Sequence, residues 1–259
     1  MDIARAAIDT EQKCLNAERN RQPPIMDSSE SPSPNPRDEP FGYVCHRCLK
    51  CCHHKRIQVN PYEIARLARN RGLTTSEFRD TWTEDGVGNY LSQTENGACV
   101  FLGSEGCTVH PDRPLVCRLY PLGRHMTEGV EWFSHVEPHP QSAGEFNRNG
   151  TIADFLVAQG VEPFMRAADE YVYWICALTA SMEDVCETSG TELSAPAAVD
   201  RARDLLDVDG AIAWHCAATG EVEPTDIEAR KELHLRILYE SLNLVKTEGL
   251  HRERAQEDP

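Results

Sequence analysis

Apolar residues recur at helical spacing after Asn60 and through most of the chain beyond residue 150, and only short stretches between them alternate like strands. In Asn60-Pro61-Tyr62-Glu63, Asn60 can cap a helix, Pro61 suits its first position and Glu63 can close a capping box. Ile64, Leu67 and Ala68 then share one face, and Gly72 is placed to end the helix. A second short helix is expected over 76–82. From Asn89 to His110 the pattern turns to NYLSQT, ACVFL and CTVH, broken by Glu-Asn-Gly and Ser-Glu-Gly, which predicts small strands and turns. GVEWFSHV, residues 129–136, predicts one more strand.

Downstream the chain reads as helical. Thr151–Gln159 forms one helix, Gly160 and Pro163 separate it from the next, and Phe164, Ala167, Ala168, Tyr171, Ile175 and Leu178 mark the apolar face of that second helix. After a loop around 187–196, helices are expected over 197–206 and 210–218. A long one starts at Thr225, where Thr225-Asp226-Ile227-Glu228 reads as a capping box followed by Leu235, Leu238, Tyr239 and Leu242. The whole pattern predicts an α+β protein, mainly helical, with a small irregular cysteine-rich metal-binding domain carrying a few short strands. No internal repeat is present.

Composition sets the boundaries. Residues 1–20 can form a short helix, while 21–41 are rich in Pro, Ser and acidic residues and read as a linker. The expected division is a flexible segment over 1–40, a cysteine-cluster metal-binding domain over 41–145, a helical region over 146–250 and a flexible tail over 251–259. The formal net charge of -16 opposes nonspecific attraction to nucleic acid or anionic lipid. No apolar run approaches the roughly 20 residues that span a bilayer, and the first residues lack the apolar core of a secretory signal. The expectation is a cytoplasmic protein without nucleic-acid or membrane partners.

Cysteines change the picture most. There are eleven, an odd number, and in a reducing compartment crowded thiols point to metal or redox chemistry rather than to disulfides. Cys45, Cys48, Cys51 and Cys52 form a CxxCxxCC run in which each two-residue gap lets a turn aim two thiolates at one ion. Cys99, Cys107 and Cys117 follow. Seven thiolates exceed one tetrahedral site, so they serve two metals, bridge a pair, or divide between a cluster and supporting positions. Sulfur count does not choose between zinc and iron. The CxxCxxC spacing is like the run that grips a four-iron, four-sulfide cluster, although the usual proline after the last cysteine is replaced by His53. Cys14, Cys176, Cys186 and Cys216 are isolated and read as ordinary thiols.

These residues resemble the CxxCxxCC family of zinc- or iron-chelating proteins, also called the YkgJ-type cysteine cluster family. The resemblance lies in the cysteine run, the Asn-Pro-Tyr-Glu-Ile helix start, Ala-Cys99-Val-Phe-Leu, and the string from Gly106 to Pro121 that contains RPLVCRLYP. It covers about Tyr43 to His139. The family pattern has an eighth cysteine beyond that string, in a Cys-Pro-Gly-like segment, whereas this chain has none between Cys117 and Cys176. It offers Ser134-His135-Val136-Glu137-Pro138-His139-Pro140 instead, so the resemblance implies His135, His139 or Glu137 as a replacement ligand, or one incomplete site. It also implies supporting roles for Arg113, Arg118 and Tyr120, since an arginine beside thiolates donates hydrogen bonds to sulfur and offsets charge.

Three functions are compatible with this reading. The first is a metal-binding protein holding zinc or iron, as an ion or an iron-sulfur cluster. The second is an enzyme, with an iron-sulfur oxidoreductase acting on a protein redox partner favoured over a protein-modifying activity. Relatives of the family include proteins described as flagellin lysine N-methylases, yet this chain has no glycine-rich nucleotide-binding turn after a strand. The third is a zinc-braced module that meets a protein partner through its helical part.

Overall fold

Helix α1 (Pro61–Arg71) begins as its sequence dictates. The Asn60 side chain accepts the Glu63 N–H at 3.0 Å and the Glu63 carboxylate accepts the Asn60 N–H at 2.9 Å. Gly72, at φ 67°, supplies the left-handed residue that closes it. Helix α2 (Thr75–Trp82) repeats the device with Thr74 and Glu77, one residue ahead of the expected start. Their apolar faces bring Ile64, Leu67, Ala68 and Phe78 against Val59, Leu91, Phe101 and Val109. Each such Leu, Ile or Phe contributes about 1.5–3 kcal/mol by leaving water. Cys99 and Cys107 pack against this core, so the core itself positions two of the downstream thiols.

The computed structural model describes residues 35–84, 90–127, 129–189 and 204–256, and of 182–189 and 243–256 the backbone alone. Residues 1–34, with Cys14 and most of the expected linker, lie outside the described residues. So do most of the helix expected at 197–206, residues 257–259 of the expected tail and the Cys186 side chain. The described residues divide into two compact units, one up to residue 166 and the other from residue 167 on.

In the first unit the strands are short, antiparallel and paired two by two. Strand β1 (Pro40–Val44) pairs with β6 (Glu145–Thr151), β2 (Leu102–Gly103) with β3 (Gly106–Cys107), and β4 (Leu122–Thr127) with β5 (Val130–His135). The strand expected at 129–136 is β5. The small strands expected between Asn89 and His110 appear as β2, β3 and isolated bridges, among them His53 with Ala98 and Gln93 with Cys99. Helix α3 (Leu115–Leu119) precedes β4, and the Tyr120–Pro121 peptide between them is cis. Helix α4 (Ile152–Gln159) is capped by Thr151 and closed by Gly160, as the sequence indicates.

The second unit is built from helices. Helix α5 (Glu162–Ser189) continues into it, followed by α6 (Val208–Thr219) and α7 (Ile227–Gln256). The cap of α7 is Asp226 rather than Thr225: its carboxylate accepts the N–H groups of Glu228 and Ala229, both at 3.0 Å. Tyr171, Trp174, Ile212 and Leu238 are its fully buried core. Ile175, expected on the buried stripe, is 48% exposed, and Trp174 takes the inward position, where its indole N–H reaches the Leu238 carbonyl at 2.9 Å. His234 is buried between the Tyr171 hydroxyl at 2.9 Å and the Leu205 carbonyl at 2.8 Å. Among the described residues no helix is long and apolar enough to cross a membrane.

Candidate metal centre

The CxxCxxCC run leaves β1 as a loop whose backbone is bent by two non-glycine residues in the left-handed region, Arg47 at φ 51° and Leu49 at φ 67°. Such residues cost of order 1–3 kcal/mol each and persist where the surroundings over-determine them, commonly at ligand clamps. A single 3-10 turn, Lys50–Cys52, follows, and the Cys52 N–H returns to the Leu49 carbonyl. Two backbone bonds then stitch the distant cysteine segment to this knuckle: His54 N–H to the Gly97 carbonyl at 2.7 Å and Cys99 N–H to the Cys52 carbonyl at 2.8 Å. Gly97 has φ 77°, and a Cβ there would lie 2.3 Å from the His54 ring, so only glycine permits this closure.

Cys107 sits on β3 opposite Leu102, and Cys117 lies in the middle of α3. The start of α3 is held by Glu63, whose buried carboxylate accepts the Leu115 N–H at 2.6 Å while still capping α1. Burial raises the Glu63 carboxyl to about 7 against the pull of these hydrogen bonds and of Arg118. Arg118 is itself buried and donates to the backbone carbonyls of Arg113 at 2.9 Å, Gln159 at 3.0 Å and Pro111, with its guanidinium 3.9 Å from the Phe164 ring centroid. Burial first, then neighbouring arginines, bring it down to about 10. Its role here is to tie α3 to the end of α4.

The nine cysteines whose side chains are described are all free thiols. Six of them, Cys48, Cys51, Cys52, Cys99, Cys107 and Cys117, each lie within electrostatic reach of another, while Cys45 acts on Tyr43 and Arg113, and the array has a more open group and a more enclosed one. Burial raises Cys99, Cys107 and Cys117, and the last also feels Cys99, Cys107 and Cys51. Cys52 belongs with them, since Cys107 and Cys117 act on it. At the other end Cys45 is exposed, and the N–H groups of Ala143 and Lys50 lower the Cys48 thiol. Cys51 is the seam. Its sulfur lies 3.9 Å from that of Cys52, which donates to it, and this bond, helped by Lys55, brings Cys51 down to about 6 while Cys52 is raised. Positive charge flanks both groups: Lys55 near Cys51, Arg71 near Cys107, and Arg113 near Cys117, Cys107 and Cys45.

The donor chemistry fits zinc or iron, both of which take thiolates. The spacing fits on one edge, because two sulfurs about 2.3 Å from a tetrahedral ion are about 3.8 Å apart, close to the 3.9 Å of Cys51 and Cys52. Among the described residues no three His, Cys, Asp or Glu side chains converge on a common point as placed. The structure thus joins the backbones of the knuckle and the Cys99 segment and places Cys107 and Cys117 within electrostatic reach of the Cys51–Cys52 pair.

The other residues singled out by the sequence fall in different surroundings. His135 packs between aromatic rings, 5.4 Å from Phe41 and 6.1 Å from Phe146 between ring centroids. His139 accepts the Gln141 N–H on Nδ1 at 3.1 Å, and its carbonyl accepts from Ser142. Tyr120 stands beside the thiols, under the Lys55 ammonium at 4.4 Å and edge-on to Tyr43. Its buried hydroxyl has no partner at full hydrogen-bond geometry, and the His139 N–H points to it from farther off. Tyr43, Lys55 and Ser142 belong to the same neighbourhood and carry no motif. Lys55, three residues after Cys52, was visible as a charge beside the run; Tyr43 and Ser142 arrive only through the pairing of β1 with β6.

Fold and site together define a small α+β domain organised around clustered free thiols. A CxxCxxCC domain, described as a "putative zinc- or iron-chelating domain", is found at residues 44–136. No curated protein and no solved structure matches the chain.

Proposed function

We propose that residues 44–136 form a thiolate-ligated zinc or iron centre whose ligands are drawn from Cys45, Cys48, Cys51, Cys52, Cys99, Cys107 and Cys117. Cys51, Cys52, Cys99, Cys107 and Cys117 are the more enclosed of the seven and include the four thiolates a closed tetrahedral site needs. The observation that carries this reading is the stitching of the knuckle to the Cys99 strand by the Cys99–Cys52 backbone bond. A local run of thiols is thereby coupled to thiols about fifty to seventy residues away in sequence, and crowded thiolates repel unless a cation lies among them. Lys55, Arg71 and Arg113 offset part of that charge from the rim. When bound, the ion would neutralise the remainder. Arg113 and Tyr120 act on the ligands from the second layer, and Arg118 acts through the α3 backbone that carries Cys117.

The test is metal content and colour after anaerobic purification. Zinc or iron near stoichiometric with protein, lost in a Cys52→Ser, Cys117→Ser double variant and kept in Cys176→Ser, supports the reading. Metal-free protein that refuses added zinc and iron under reductant overturns it. The CxxCxxC spacing favours one variant, an iron-sulfur centre serving a protein redox partner; brown protein with equimolar iron and sulfide selects that variant, and colourless zinc protein discards it.

A further inference from the structure

We infer that Cys51 and Cys52 are a reversible thiol–disulfide couple that governs the centre: a hydroperoxide bridges the two neighbouring sulfurs and so expels the ion. The inference rests on the metal-centre reading above and names how that same site is regulated.

The two sulfurs lie 3.9 Å apart and, among the described residues, are the one pair of cysteine sulfurs in hydrogen-bond contact. Both residues are partly exposed on the turn Lys50–Cys52, so a small oxidant reaches them in the folded domain. Cys48, by contrast, has the Ser142 hydroxyl at 3.9 Å and the Ala143 N–H at 3.4 Å against its sulfur, groups that cannot bridge to it. Contact selects the partner, because an oxidised sulfur is captured by the thiol that has access to it.

The chemistry balances in two steps. One sulfur attacks the peroxide O–O bond and becomes a sulfenic acid, and an alcohol, or water from hydrogen peroxide itself, departs. The other sulfur then displaces the sulfenic hydroxyl, which leaves as water, and the S–S bond forms. Two electrons pass from the sulfur pair to the peroxide, and solvent supplies the protons when the sulfurs start as thiolates.

The backbone sets the consequence for the ion. Of the more enclosed thiols, bridging leaves Cys99, Cys107 and Cys117, one fewer than a closed tetrahedral site needs. Cys52 also carries the stitch: its N–H donates to the Leu49 carbonyl at 3.2 Å and its carbonyl accepts the Cys99 N–H at 2.8 Å. Closing a ring through the Cys51–Cys52 peptide turns that backbone and loosens the tie to Cys99. The bridge is also easily undone. The peptide is trans, which sets its two Cα atoms about 3.8 Å apart, short of the roughly 4.4–6.8 Å of ordinary disulfides. A bond made under that strain is readily reduced and belongs with the labile disulfides rather than the structural ones. The pair therefore stays reduced until an oxidant arrives, and a thiol reductant restores both ligands.

Full-length protein loaded with zinc, freed of reductant and treated with hydrogen peroxide tests this, with a chromophoric chelator reading release and peptide mass spectra reading the bridge. Zinc and the Cys51–Cys52 bridge should appear in step and in equal amounts, and dithiothreitol should return both thiols and zinc binding. Cys51→Ser, kept metal-free, should stop at a sulfenic acid on Cys52, captured by a 1,3-dione, because no other cysteine sulfur is in contact with it among the described residues. Cys176→Ser should behave as the wild type. If peroxide instead joins Cys52 to Cys99, Cys107 or Cys117, or the Cys51–Cys52 bridge forms while zinc stays bound, the inference fails and the metal-centre reading stands. Irreversible oxidation to sulfinic acid in place of a bridge overturns it as well. Protein that takes up neither zinc nor iron before oxidation removes the underlying reading, and the inference with it. Circular dichroism of each sample separates loss of ligands from loss of fold.

Discussion

Leu49 holds an aliphatic side chain at φ 67°, in a region that glycine enters freely and branched residues avoid. Leu49→Gly should change the stability of metal-free protein by no more than about 1 kcal/mol, because relief of strain offsets the extra freedom of the unfolded chain. Leu49→Val should cost about 1–2 kcal/mol more than Leu49→Gly, and urea unfolding of both checks the contrast. His234 makes a second prediction from one residue. Burial lowers its imidazole from 6.5 to about 4, and its partners, a hydroxyl donating to Nδ1 and a carbonyl accepting from Nε2, suit the neutral ring. Between those values the unfolded chain binds the proton and the folded one does not. The contribution is complete above pH 6.5 and is lost as pH falls toward 4, by about 3 kcal/mol at most. His234→Gln, which can keep one acceptor and one donor, should unfold with a shallower pH dependence between 7 and 5 than the wild type.

Among the elements, those fixed by local chemistry were legible in the sequence. Asn60 with Glu63, Gly72, Thr151 and Gly160 are set by bonds within a few residues of themselves, and α1 and α4 begin and end where they indicate. Strands β1, β4 and β6 were not legible. LGRHMT and EFNRNGT lack clean alternation because a two-stranded ribbon buries little on either face, and their pairing is decided by contacts up to about a hundred residues apart. The same holds in the site. Cysteine identity and spacing marked the candidate ligands, while Ser142 and Tyr43 became visible only once β6 lay beside β1. Arg118 shows what such long-range ties are worth. Arg118→Met should destabilise the first unit by about 3 kcal/mol, since it leaves the part-buried carbonyls of Pro111, Arg113 and Gln159 without this donor. Arg118→Lys should recover only part of this, because one ammonium cannot reproduce the guanidinium fork.

At the scale of the whole molecule the seven clustered thiols belong to one unit, and α6 and α7 to the other. Chelation should therefore act unevenly. A strong chelator under reductant is expected to lower the unfolding temperature of the unit that contains Trp82 and Trp132 and to leave the one that contains Trp174 and Trp214 unmoved, read by tryptophan emission of single-tryptophan variants. A single transition that shifts as a whole would contradict this.

The graded burial of the seven thiols has a practical side as well. Cys45 is exposed and Cys48 is held toward its anionic form by two backbone N–H groups, whereas burial keeps Cys99, Cys107 and Cys117 protonated. Alkylating reagents and air attack the anion. A metal-stripped sample should accordingly be modified from the outer rim inward, Cys48 early and Cys117 last, in peptide mass spectra taken over time. Protein handled without reductant will lose its surface thiols while the deeper ones remain intact, so its metal content will depend on its history in air.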